Sequence, residues 1–173
     1  MWIYLIRHAE AEALGSGPAQ RDFDRPLTAQ GQWQARALAR TLHKRGVVLD
    51  AVASSPLVRA HQTAVALLEV LAPGLRPVTC DELALDVWKP GKLSDFLANL
   101  PPLGPRLPER SEKAVAAVGH MPHLAHYLDW LLGIDKSNLT LEKAGVACIC
   151  CEGEPRRGNG QLLWLVTPLW YDG

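Results

Sequence analysis

Short apolar runs alternate with longer amphipathic stretches through most of the chain. Residues 2–6 (WIYLI) are an unbroken apolar run, rich in aromatic and β-branched types, and predict a buried strand. Further runs at 49–55 (LDAVASS), 76–80 (RPVTC) and 113–120 (KAVAAVGH) predict three more. Between them the spacing turns helical. Trp33, Ala37, Leu38 and Leu42 mark one face of a helix that Thr28 would cap and Gly46 would stop. Pro56 suits the first turn of a second helix, carried by LVRAHQTAVALLEVL as far as Pro73-Gly74. Phe96, Leu97 and Leu100 suggest a short helix, followed by an irregular, proline-rich stretch (LPPLGPRLPERSE). PHLAHYLDWLLG, led by proline, predicts a fourth. Near the end, AGVACICCE and GQLLWLVTP flank the turn-like GEPRRGNG and read as a hairpin.

Strands alternating with helices up to residue 132 predict an α/β fold. It would have three layers, α/β/α, around a mostly parallel central sheet, with the C-terminal antiparallel hairpin at one side. Nothing resembles a repeat or a linker, so residues 1–173 are expected to form a single domain.

Composition narrows the classes of partner. Apolar residues make up 48% and charged residues 21% of the chain, as in globular proteins. Lys+Arg and Asp+Glu balance at 18 each, so no nucleic-acid or acidic-membrane partner is expected. No stretch is long and apolar enough to cross a bilayer, and the N-terminus lacks the pattern of a signal peptide. The expected location is the cytoplasm. Cys148, Cys150 and Cys151 crowd one predicted strand and Cys80 stands apart. Adjacent strand residues face opposite ways, so these cysteines read as buried thiols rather than a zinc site.

Ligands of such sheets bind beyond the carboxyl ends of the strands. The first strand ends in Arg7-His8, the second in Ser54-Ser55 with Arg59 soon after, and the fourth in Gly119-His120. Two arginines and two histidines could thus meet in one crevice. Arginine's planar fork of donors matches phosphate oxygens and stays charged. Histidine can be a neutral nucleophile or a protonated donor near neutrality. A lone His8 would more often be a structural hydrogen-bonder, and a lone Arg59 would usually be solvated. Arg59 also opposes the helix dipole, which hints at a nearby anion. His43, His61, His123 and His126 read as surface, rim or local structure. His123 and His126 stand at i and i+3 without a third ligand at matching spacing, so no metal is expected. Of the six tryptophans, Trp88 falls near the presumed rim and Trp170 near the C-terminus; core, rim and interface are all open to them, and most read as core or partly exposed packing.

LIRHAEA, RPLTAQGQWQA, SSPLVRAHQTA and VGHMP occur in the order and spacing of the histidine phosphatase superfamily, which the chain resembles. Its small size, RHAEA form and RPLT loop look most like the compact phosphohistidine phosphatase branch of these phosphoglycerate mutase-like proteins. Ala9 departs from the glycine usual there, so the backbone must avoid conformations that favour glycine. The resemblance implies that His8 accepts the phosphoryl group, while Arg7, Arg59 and His120 bind its oxygens and stabilise the transfer. It implies a substrate-side role for Arg25. It also puts Glu82 where mutase-like relatives carry a proton donor, although a solvated loop carboxylate is an equal reading.

Larger relatives insert helices where this chain has only residues 81–113, so an open, shallow site is expected. Such a site would admit a phosphorylated side chain on a folded protein and offer few walls to a sugar phosphate. A departing imidazole needs a proton less than a departing alkoxide does. The favoured reading is a metal-independent phosphatase, without cofactor, acting on phosphohistidine in proteins such as histidine-containing phosphotransfer domains. A small-molecule phosphomonoesterase, for sugar phosphates, nucleotides or polyphosphates, is the alternative, and a non-catalytic phosphate-binding module the third. Neutral His8 with protonated His120 would give a bell-shaped pH profile. The sequence leaves the oligomeric state open.

Overall fold

A computed structural model describes residues 1–15, 17, 19–102 and 112–171. Part of the proline-rich stretch, residues 103–111, lies outside the described residues, as do residues 16 and 18 of the first loop.

Six strands form one sheet: β1 (Trp2–Arg7), β2 (Ala51–Ser54), β3 (Val78–Thr79), β4 (Ala114–Gly119), β5 (Val146–Cys151) and β6 (Gly160–Val166). Their order is β3-β2-β4-β1-β5-β6. The first four run parallel, and β5 and β6 add an antiparallel hairpin on the free side of β1. Four helices cover the sheet: α1 (Ala29–Lys44), α2 (Val58–Leu71), α3 (Pro90–Asn99) and α4 (His123–Leu132). Tyr4, Ile6, Val52 and Ala116 pack against Leu38 and Leu42 of α1 and Leu67 and Leu68 of α2. Ile3, Leu5, Ala53 and Val115 pack against Leu93 and Leu97 of α3 and Leu124 and Leu128 of α4. This is the three-layer α/β/α fold the pattern predicts. The alternate residues of each strand face different helix pairs because side chains alternate across a strand.

Several boundaries shift. Pro56 lies outside α2, whose N-cap is Leu57. The 76–80 run supplies only a two-residue β3. Trp33 sits on α1 but is 44% exposed, and Ala35, Ala37, Leu38 and Leu42 carry the buried face. Thr28 caps α1 as expected, its hydroxyl accepting from Gly31 N at 2.9 Å. Gly133 ends α4 in the left-handed region (φ 72°), where a side chain would be strained.

Register decides where the site lies. Arg7 pairs with Gly119, and Ser54 pairs with Val118. The carboxyl ends of β1, β4 and β2 are therefore level, and β4 lies between the other two. The ladder continues one step further, with His8 N donating to Gly119 O at 3.0 Å and Ser55 N to Val118 O at 2.9 Å. His8, Ser55 and His120 thus leave the sheet together.

Candidate active site

Where β1 ends, Arg7 and His8 are fixed from both sides. The Gly145 carbonyl accepts from Arg7 N at 3.1 Å, and Ala144 N donates to the carbonyls of Arg7 and His8 at 3.1 and 3.2 Å. Ala144 reaches both by adopting φ 58°, a conformation uncommon outside glycine and one that marks a held backbone. Ala9 takes no such conformation. It is buried, and its N–H donates to Thr63 Oγ1 at 3.1 Å.

The His8 ring is oriented at both nitrogens. Nδ1 lies 2.7 Å from Ala9 O, and a carbonyl only accepts, so Nδ1 carries the proton. Nε2 accepts from Arg59 Nε at 3.3 Å through its one in-plane lone pair. Burial, opposed by the Ala9 hydrogen bond and reinforced by Arg59 and Arg7, lowers its pKa to about 4. At pH 7 the ring is therefore neutral, the form in which Nε2 holds a lone pair.

His120 lies beside it, ring centroids 5.0 Å apart and tilted by 56°. Its Nε2 is 2.9 Å from Ser55 Oγ, and its Nδ1 is buried without a partner. Burial, with His8 and Arg59 adding repulsion, lowers its pKa to about 3. Arg7 gives Nη1 to Leu141 O at 2.9 Å, while its Nε is also buried without a partner. An unsatisfied buried donor such as Arg7 Nε costs about 1–3 kcal/mol, which an oxyanion accepting from it would relieve.

Arg59 opens α2, where the helix dipole opposes a cation. Asp22 supplies the compensation. Its carbonyl accepts from Arg59 Nη1 at 2.6 Å and its carboxylate from Arg59 Nη2 at 2.9 Å. Arg25 Nη1 reaches the same carboxylate at 2.6 Å, and Arg25 Nε bonds to Glu12 O. Arg25 is therefore joined to the cluster through Asp22. Burial raises the Asp22 pKa and the two arginines lower it by more, leaving the carboxyl below its usual range.

Glu82 lies in a short turn after β3 and lines a recess shared with His120. The sequence-based site residues thus converge: Arg7, His8, Arg59 and His120 directly, Glu82 along one wall, and Arg25 one contact away. The sequence names Ser55 only as the end of the second strand and does not point to Asp22 or Thr63. Asp22 stands three residues before Arg25, a spacing that suits a pair within one turn, and this was the available signal. The site is also deeper than expected. His8, Arg59 and His120 are 9%, 3% and 2% exposed, because the turn at 21–25 covers Arg59 and the segment after β3 walls His120. Among the described residues, no group of three or more His, Cys, Asp or Glu side chains is placed to hold a metal. No helix there is long and apolar enough to cross a membrane.

Residues 3–88 match the model of the histidine phosphatase superfamily, branch 1. The chain belongs to the histidine phosphatase superfamily. A Hydrogenobacter thermophilus protein named for phosphoserine phosphatase activity is 41% identical over 73 residues, which is 42% of this chain and 35% of that protein. The match thus spans about a third of that relative's own length. The superfamily fold extends over the whole chain. A protein histidine phosphatase, SixA, solved with tungstate, superposes with a TM-score of 0.79 at 23% identity, covering 98% of each chain. A protein of Nakamurella multipartitia named for phosphohistidine phosphatase activity superposes at 0.72 with 25% identity, covering 97% of this chain and 96% of that one.

Proposed function

We propose that this chain is a phosphatase that works through a phosphohistidine intermediate on His8 and takes phosphohistidine on proteins as its substrate. The observation that carries the catalytic part is the state of His8: its proton is tied to Ala9 O and its Nε2 faces Arg59. In the first step Arg59 Nε turns from Nε2 to a phosphoryl oxygen, the freed Nε2 lone pair forms a bond to phosphorus, and the bond to the leaving group breaks. Arg7, Arg59 and His120 compensate the charge on the equatorial oxygens. In the second step water attacks the phosphoryl group, releases inorganic phosphate and returns Nε2 to its resting form. No metal is needed in this scheme.

The substrate part is supported by the full-length likeness to structures named for phosphohistidine phosphatase activity. The phosphoserine phosphatase name of the Hydrogenobacter relative favours a second reading, a small-molecule phosphomonoesterase. Parallel assays with a phosphohistidine phosphotransfer domain, a phosphohistidine peptide, phosphoserine and a sugar phosphate would separate the two. The phosphotransfer domain should give the highest kcat/KM, and a higher value on either ester would favour the second. His8→Ala should abolish turnover, and quenched wild-type enzyme should carry acid-labile phosphate on His8. Residual turnover of His8→Ala near the wild-type rate would reject the covalent route.

A further inference from the structure

Away from the active site, a cavity of about 490 Å³ lies between α1, the face of β1, β5 and β6, and the short turn at 168–170. None of Arg7, His8, Arg59 and His120 lines it. Its volume falls in the range of small-molecule sites, about 300–1,000 Å³. Trp2, Tyr4, Trp164, Trp170 and Tyr171 supply aromatic walls. Four of these rings are held in place. Trp164 packs on Tyr4 with centroids 5.9 Å apart, Trp2 Nε1 donates to Glu112, and the Tyr171 hydroxyl donates to Ala144 O.

The polar groups of the cavity sit together on α1. Thr41 and Arg45 stand four residues apart at its C-terminal end, so they share a face. Thr41 is 7% exposed, and its hydroxyl is buried without a hydrogen-bond partner. Arg45 is exposed, makes no ion pair among the described residues, and is the one charged side chain that lines the cavity. The last carbonyls of α1 are already taken by Arg45 N, Gly46 N and Val47 N.

We infer that this cavity binds a small aromatic carboxylate, its rings between the aromatic walls and its carboxylate on Arg45 and Thr41. The inference stands whatever substrate His8 takes. Ring burial removes apolar surface from water, and aromatic pairs attract beyond that burial. The guanidinium fork matches a carboxylate. A helical threonine has two accessible χ1 rotamers, so its hydroxyl can turn to donate to the same group. A neutral apolar ligand would leave that hydroxyl unpaired, and a dianion would bring a second charge that no lining cation meets.

Calorimetric titration with 2-naphthoate and its neutral counterpart 2-naphthamide reads both halves of the site. Naphthoate should bind saturably and about fivefold tighter than naphthamide, as suits a partly exposed ion pair. Saturating inorganic phosphate, which loads the site at His8, should leave that affinity unchanged. Arg45→Gln should abolish the preference and keep naphthamide binding. Thr41→Val should weaken naphthoate and yet raise the thermal midpoint, because it removes an unpaired buried hydroxyl. A threonine that serves packing alone would leave naphthoate affinity untouched. Absence of saturable naphthoate binding, equal affinity for the two compounds, displacement by phosphate, or a preference that survives Arg45→Gln overturns the site.

Discussion

His8 and His120 differ from free histidine mainly because folding buries them among cations. Their pKa values fall to about 4 and about 3, so the resting site holds two neutral rings at pH 7. The sequence suggested a protonated His120, since nothing in the order of residues reveals that Ser55, His8 and Arg59 enclose it. The profile of kcat/KM follows groups of the free enzyme. Corrected for substrate ionisation, it should stay level as pH falls through 6.5 and drop below about 5, with the midpoint near 4 set by protonation of His8 Nε2. An acid limb centred at 6.5 would show that His8 titrates like an exposed imidazole and would reject its neutral, enclosed state. Asp22 belongs to the same scale. It holds Arg59 and Arg25 with one carboxylate, so the arginine that faces His8 is aimed by a residue outside the strand ends.

At the scale of elements, α1 braces the loop that follows His8. Thr28 N donates to Glu10 O at 3.1 Å, and Thr28 Oγ1 donates to Glu10 Oε1 at 3.0 Å. Gly31 then passes so close that a Cβ would lie 1.9 Å from Glu10 O, far inside contact distance. Gly31→Ala must displace the helix start or that carbonyl. It should cost about 1–3 kcal/mol in urea unfolding, as overpacking does, and lower kcat through the loop. Unchanged stability together with unchanged kcat would mean that the helix start does not brace the site. The sequence showed α1 and its cap because both are local: a helical period and a threonine before it. It also showed which residues end β1, β2 and β4, and their convergence follows from the parallel sheet. The sequence put Trp88 near the rim of the site but did not show the side chains it meets there, His123 among them. Trp88 lies in an irregular segment, and its meeting with His123 depends on how α3 and α4 pack on the sheet. The depth of the site was misjudged likewise, because the cover over Arg59 comes from a turn at 21–25 that carries no periodic signal.

Across the whole molecule, the register that assembles the site also couples it to stability. β4 sits between β1 and β2, so folding cannot form the sheet without bringing His8 and His120 into its buried edge. In the unfolded chain both titrate near 6.5, whereas in the folded chain they do so at about 4 and about 3. Between these values the unfolded state binds more protons, so stability is full above pH 6.5 and falls as pH drops through that window. His123, also lowered by burial and by His126, acts in the same direction. Asp22 contributes lower down, because its carboxyl is below 3.8 in the folded chain and 3.8 is its unfolded value. From pH 6.5 to 4 the histidines therefore outweigh Asp22, whose contribution enters only near the acid end. Each pKa unit corresponds to about 1.4 kcal/mol, so the two site histidines together should cost on the order of a few kcal/mol across that interval. Thermal melting of wild type should decline steadily from pH 6.5 to 4. His8→Asn combined with His120→Gln should flatten the decline and leave the smaller slopes due to His123 and, near pH 4, Asp22. Parallel melting curves for the two proteins over this range would mean that the site histidines take up protons without strain, and that the sheet edge is looser than its register implies.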